Sequence, residues 1–497
     1  MNEAGSPCSA PVKTKSRSRV AEGVFYATMV LTSVVLGGVL AWFAIRYGTV
    51  DPKVAGPLFL PLAITYSFVF LGLGVGIFHY RGILSWLDRY LPPDEKGLRA
   101  LVIIVAVAAG YETLRLCLFD FLGYYPTDLP SYHYASRALL LRIDPYIDRN
   151  LEELAGGMHV FPYVYPPFLA LLWMPLAKLP IEQVAAVWQV ISLAALIGSL
   201  ILSIRLARPY TSDARAAALV VALLLPLGLP AYVNFHHGAV SAVFTFLIVL
   251  FFERLARGKD RTAGIVLAIA CGIKVLPVIL LLYLAIKKRW RALGVTLAVG
   301  AALVLVSVLV LGWKVHWRFI VDVAPQLGYS VHSNLGYDAV FHPENQSING
   351  FMSRVVCGHT AGCSMMIALL CLMTAVAVGW FAGKRREIDG VEAAAVILAV
   401  LLISPITWFH HLLLVMVPAV VLAARVTEGS WRPRWWPLTA LAVGALLAHD
   451  FGRPIMAIRG FVPLANIRFG MLVFLYVTFL LILHDIRRDK QLRLPGA

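Results

Sequence analysis

The chain has 497 residues, of which 60% are hydrophobic and only 14% charged, with a mean hydropathy of +0.79. Soluble chains average about 25% charged residues, and a soluble fold of this length cannot hide so much apolar surface, so a soluble domain is excluded. The net charge of +16 does not point to nucleic acid, because the Lys and Arg residues sit in short segments between apolar blocks, where basic residues set orientation in a membrane.

The N-terminal stretch "MNEAGSPCSAPVKTKSRSR" is polar and basic. The apolar block after it, 24–46, is too long for a signal-peptide core and lacks a small-residue cleavage site, which predicts a retained helix behind a cytoplasmic tail. Further charge-poor blocks follow near 57–78, 100–119, 183–204, 216–232, 238–252, 262–286, 292–313, 364–383, 392–425, 436–449 and 465–484. Blocks of about 20 residues match the hydrocarbon core of a bilayer.

Two blocks read as double. Block 262–286 has basic segments on both sides, "ERLARGKDR" and "KKRWRA", so both ends belong on the cytoplasmic side and the chain must go in and come back, with Lys274 and Pro277 near the middle. Block 392–425 is flanked by "GKRRE" and "RPRWW" and interrupted by "SPITWFHH", which predicts a second hairpin with that motif at its outer tip. The total is about 12–14 transmembrane helices, with both termini cytoplasmic and the loops 120–182 and 314–363 outside. The expected fold is an all-α polytopic membrane protein in three parts. Residues 1–98 form a tail and two accessory helices, 99–425 the core with both long loops, and 426–497 the last helices and a basic tail.

The polar segment "TDLPSYHYASRALLLRIDPY", 127–146, stands out in this greasy context. Pro130 suits the first turn of a helix, and Tyr132, Ala135, Ser136, Leu139, Leu140 and Ile143 recur at helical spacing with His133 and Arg137 on the other side. The pattern predicts an amphipathic helix on the membrane surface. Asp128 lies at its start, where the helix dipole favours a negative charge by about 0.3–1 kcal/mol. Asp128 is therefore expected to be ionised, as a base or ligand or as a plain helix cap. The next apolar stretch, 161–180, is short and broken by prolines, and is expected to be an outer interfacial or re-entrant helix.

Other polar groups fall on the same side: "NFHHG" with Asn234, His236 and His237, Lys274 at the hairpin tip, "HPENQSINGFMSR", and "SPITWFHH". Ionisable groups at membrane depth point to function. Together this set suits a cavity for an anion and a polyhydroxylated ligand, with Arg, Lys and His on phosphate. Taken singly, each has a bland reading. Lys274 can snorkel to the interface, and Arg354 can pair with Glu344. The His pairs are adjacent rather than four apart, so no metal-ligand spacing is present and no metal is expected. Cys357 and Cys363 in "CGHTAGC" fit either a small disulfide or two free thiols.

Five pieces in order, "TDLPSYHYASRALLLRIDPY", "YVYPPFLALLWMPLAKLP", "IKVLPVILLLYLAIKKRW", "ENQSINGFMSR" and "SPITWFHHLLLVMVPAVVL", cover about 120–425. On these the chain resembles the GT-C glycosyltransferases, specifically family 87, the polyprenyl-phosphate-sugar-dependent mannosyltransferase-like proteins. The resemblance implies an inverting transfer from a polyprenyl-phosphate sugar, by family default mannose, to a glycan or glycolipid acceptor on the outer face of the cell membrane. Carried over, Asp128 is the general base, with Asp144 and His133 as alternatives. His410, His411, Arg354 and Lys274 are candidates for the donor phosphate. Asn345, Gln346 and Ser347 are expected to orient sugar hydroxyls, with Tyr132, His133, Asp144, Tyr163, Tyr165 and Trp408 around the acceptor. No cofactor is implied. A lipid-linked glycan polymerase or ligase, and a non-enzymatic lipid-sugar flippase, are the competing readings. The sequence carries no signal for oligomeric state.

Overall fold

The computed structural model describes residues 127–210, 229–329, 339–356, 363–385, 387–427 and 466–492, with isolated positions near 30–38 and at 443. Apart from those positions, the predicted accessory unit at 1–98 and the blocks at 100–119 and 436–449 lie outside the described residues. Among the described residues there are helices and turns and no strand.

The helices in chain order are α1 Asp128–Leu140, α2 Asp148–Leu154, α3 Pro167–Trp173, α4 Ile181–Ala207, α5 Leu229–His237, α6 Ser241–Ala256, α7 Asp260–Ile273 and α8 Ile279–Ile286. They continue as α9 Trp290–Leu311, α10 Trp313–Arg318, α11 Ile348–Val355, α12 Ser364–Gly383, α13 Gly390–Ile403, α14 Met416–Thr427 and α15 Ile467–Leu492. Among the described residues, four stretches are long and apolar enough to cross a membrane: Ile181–Tyr210, Trp290–Leu311, Ser364–Gly383 and Arg468–Ile486. Their outer faces carry bare apolar side chains, such as Leu309 on α9 (75% exposed) and Met365 on α12 (84%), as lipid contact requires. The chain is an all-α polytopic membrane protein.

Both expected hairpins are broken where the sequence places the polar residues. Helix α7 has 14 residues, about 21 Å, against roughly 30 Å of hydrocarbon. It stops at Lys274, whose backbone is extended (φ −137°, ψ 139°). A 3₁₀ turn, Leu276–Val278, and α8 follow, and Pro277 has no N–H with which to carry α7 on. Helix α13, also 14 residues, is buried on every side, which suits a helix that is apolar nearly all round. It ends at Ser404 before Pro405, and a 3₁₀ turn, Phe409–Val415, leads into α14. Helix α7 packs along α6 and α9, while α13 packs against α14, α12 and α15.

Buried ion pairs fasten the opposite ends of these helices. Lys287 Nζ lies 2.9 Å from Glu392 Oε1, and both side chains are almost fully buried. Tyr283 donates to the same carboxylate at 2.6 Å, Lys287 donates to the Arg385 carbonyl at 2.6 Å, and Arg385 pairs with Asp389.

The polar segment 127–146 differs from expectation in one respect. Helix α1 does not lie on a surface with one polar face to water, because Leu129–Ser136, Ala138 and Leu139 are all buried. The cause is packing: α2, α3, α4 and the turn Leu176–Lys178 all close on it. The proline-broken stretch after it forms only the seven-residue α3 and that turn, so it does not span.

Candidate active site

Asp128 is the first residue of α1, and Thr127 occupies the N-cap position. The carboxylate makes no cap, contrary to the capping alternative. It accepts from the Thr127 hydroxyl at 3.3 Å on Oδ1 and from the Tyr132 hydroxyl at 3.5 Å on Oδ2. The Tyr132 hydroxyl also lies 3.0 Å from that of Tyr165. Burial pushes the Asp128 carboxyl up to about 6, against the opposing pull of Lys274, the two hydroxyls and His236. Desolvation therefore outweighs the helix dipole that led us to expect a plainly ionised group. A carboxyl titrating near neutrality is suited to take a proton.

Lys274 stands opposite, at the break between α7 and α8. Its Nζ lies 2.5 Å from His411 Nε2, and it faces the rings of Tyr165 at 5.8 Å and Phe244 at 5.6 Å. His411 is held by the backbone N–H of Trp408, which donates to its Nδ1 at 3.2 Å. His410 stands edge-on to His411 with ring centroids 4.6 Å apart, and His237 is 6.3 Å from His410. His237 Nδ1 lies 2.6 Å from Thr127 Oγ1, which closes a ring of polar groups around Asp128.

The close approach of α5 to α1 is built into the backbone. Gly238 has φ +64°, and a Cβ there would lie 2.6 Å from Leu129 Cβ. Its carbonyl accepts from Trp188 Nε1 at 2.9 Å. Only glycine fits both the left-handed backbone and the space.

The structure thus brings together Asp128, Tyr132, Tyr165, Lys274, His410 and His411. Other expected site residues stand elsewhere. Asp144 pairs with Arg318 at 3.1 Å and accepts from the Tyr146 N–H at 2.9 Å, tying the outer loop to α10. Arg354 donates to the carbonyls of His342 and Asn345 at 2.7 and 2.8 Å and to Asn466 Oδ1 at 2.6 Å, so its charge braces a loop. Asn345, Gln346 and Ser347 are fully buried. Asn345 bridges the Pro405 carbonyl and the Thr407 N–H. Gln346 accepts from the Phe469 N–H, and Ser347 caps α11 through the Gly350 N–H. These side chains hold backbone in place and leave sugar hydroxyls little to bind. Tyr163 donates to the Pro166 carbonyl at 2.9 Å and supports the wall from behind. His133 is sealed inside α1's packing, and burial, with Arg137 nearby, lowers it to about 4. Trp408 packs edge-on against His342 at 5.1 Å.

Sequence reading missed Thr127. The only signal was its place directly before Asp128. His237 was noticed as part of a His pair, but nothing in sequence linked it to Thr127, 110 residues away.

The pattern for glycosyltransferase family 87 matches residues 163–405, which include Tyr165 and Lys274. Over those residues, just under half of the chain, it is similar to glycosyltransferase family 87. Among curated relatives, a polyprenol-phosphate-mannose-dependent α-(1-2)-phosphatidylinositol pentamannoside mannosyltransferase of Mycobacterium tuberculosis is 30% identical over 298 residues, 59% of this chain and 66% of that protein. Its namesake from Mycolicibacterium smegmatis is 31% identical over 256 residues, 50% and 58% of the two chains. A polyprenol-phosphate-mannose-dependent α-(1-2)-phosphatidylinositol mannoside mannosyltransferase of Mycobacterium tuberculosis is 25% identical over 364 residues, 70% and 80%. The match covers less than two thirds of the length of the first two relatives.

Proposed function

We propose that this protein is an integral-membrane glycosyltransferase of family 87. In this reading it moves a sugar, by analogy with its relatives mannose, from a polyprenyl-phosphate donor to a hydroxyl of a glycolipid acceptor, with inversion. The observation that carries the reading is the pairing of Asp128, raised to about 6, with a cationic and imidazole cluster at the tips of two broken helices. The acceptor hydroxyl attacks the anomeric carbon and gives its proton to Asp128. The bond from that carbon to the phosphate oxygen breaks, and the electron pair leaves with the polyprenyl phosphate. Lys274, His411 and His410 face the phosphate as charge develops on it. The basic segments support an orientation with both termini cytoplasmic and this site toward the exterior.

The experiment is sugar transfer in membranes from polyprenyl-phosphate mannose, with wild type beside Asp128→Asn. Transfer by wild type and its loss in a folded variant is the expected result. Equal transfer by both removes Asp128 as the base. A transporter moves lipid-linked sugar across vesicles without forming a new glycosidic bond, so product analysis separates that reading.

A further inference from the structure

We propose that His237 is a positioning residue that, through Thr127, sets the hydrogen bond received by Asp128. The proposal rests on the reading of Asp128 as the base. The Thr127 hydroxyl has one proton and stands between two acceptors, Asp128 Oδ1 at 3.3 Å and His237 Nδ1 at 2.6 Å. When His237 carries its hydrogen on Nδ1, it donates to Thr127 and leaves the hydroxyl proton for Asp128. When the hydrogen is on Nε2, Nδ1 takes the Thr127 proton, and Asp128 Oδ1 is left facing an oxygen lone pair. The imidazole tautomer thus selects whether the base is hydrogen-bonded as an anion.

Two further observations point the same way. Threonine at an N-cap ordinarily spends its side chain on the N–H of the second or third helical residue. Thr127 occupies that position and makes no such bond, so its hydroxyl is diverted to Asp128 and His237. A local preference given up in this manner marks a functional constraint. In addition, Gly238, directly after His237, has the left-handed backbone and the empty Cβ position that let this strip of α5 touch the start of α1. His237 also stands between the base and the proposed phosphate cluster, with His410 6.3 Å away on its other side.

Among the described residues, these groups bear on the titration. Asp128 faces Thr127, Tyr132 on its own helix, Lys274 from the α7–α8 break and His236 from α5, with Tyr165 behind Tyr132. His237 faces Thr127, His236 and His410.

The test is an infrared titration of the Asp128 carboxyl in the purified, substrate-free protein, with the band assigned by its absence in Asp128→Asn. It is followed in Thr127→Val, Thr127→Ser, His237→Leu, His237→Asn and the Thr127→Val/His237→Leu double variant. Thr127→Val removes the hydrogen bond to the anion, and His237→Leu frees the Thr127 hydroxyl to turn back to the cap position of α1; both should raise the midpoint, by about one pH unit at most. Thr127→Ser and His237→Asn, which restore the hydroxyl and the N–H donor, should return it to the wild-type position. The double variant should shift no further than Thr127→Val alone, because both act through one hydroxyl. A His237→Leu midpoint equal to wild type overturns the proposal, as does a His237→Asn shift as large as that of His237→Leu. The acidic limb of the transfer rate should move in parallel. Failure of wild type to transfer sugar, with the titrations as expected, counts against the proposed function and not against this link.

Discussion

Replacing Asp128 by Asn removes a charge that the surroundings disfavour. The carboxyl rises from 3.8 to about 6 on folding, which amounts to at most about 3 kcal/mol in favour of the neutral acid. The folded state holds this proton more tightly than the unfolded chain does. The stabilisation it brings is therefore full below pH 3.8 and lost as pH rises through about 6. At pH 7.5 wild type has lost it, whereas Asn never had a charge to bury. The variant should match wild type within about 1 kcal/mol near pH 4 and gain on it up to pH 6, with a flat advantage of about 1–3 kcal/mol above that. Transfer should fall by about 10²–10⁴-fold, the usual worth of a general base. The assay is denaturation of the purified protein at pH 4.5, 6 and 7.5, paired with sugar transfer at pH 7.5. A variant that is less stable than wild type at pH 7.5, or that transfers at the wild-type rate, would refute the reasoning.

Lys274→Met removes the charge that holds Asp128 down; the acidic limb of the pH–rate profile should move above 6, and the donor KM should rise. In wild type the same profile should show an acidic limb near 6 from Asp128. Gly238→Ala forces a left-handed alanine, costing about 1–2 kcal/mol, and pushes Leu129 away; thermal denaturation should show that loss, and kcat should fall more than donor affinity. Arg354→Lys gives up paired contacts to two carbonyls and Asn466; melting should drop while the donor KM stays at its wild-type value, and a large KM change would restore Arg354 as a phosphate ligand. Glu392→Gln leaves Lys287 buried beside a neutral group, a loss of about 3–5 kcal/mol, to be read as reduced yield and melting temperature.

Much of the architecture is legible in sequence because bilayer thickness and charge sidedness act on long stretches. The basic segments on both sides of 262–286 and 392–425 point to an interruption in each block, and the chain breaks at Lys274 and Ser404. The segment 127–146 is legible as a candidate site because polar groups are costly in so apolar a chain. Long-range pairing is not. Asn345, Gln346 and Ser347 look like sugar ligands in a string of amides, but their partners are backbone groups at 405–407, 469 and 350. Arg354 and Asp144 likewise show charge without showing what neutralises it. Helix α1 misled because its periodicity reports one buried face, while four neighbouring elements bury the others. Cys363 is disulfide-bonded, and Cys357 lies outside the described residues.

The two 14-residue helices α7 and α13 fall about 9 Å short of the hydrocarbon thickness. In the proposed orientation their polar tips therefore stop below the headgroup plane, and the lipid around them must thin or water must dip to meet them. Such a mismatch costs fractions of a kcal/mol per ångström, so acyl-chain length becomes a variable of the reaction. Short-chain bilayers bring the aqueous surface down to Lys274 and Asp128, and long-chain bilayers draw it away. Under the proposed function, the lipid matrix then sets how readily the acceptor's glycan head and the lipid-linked donor meet at one depth.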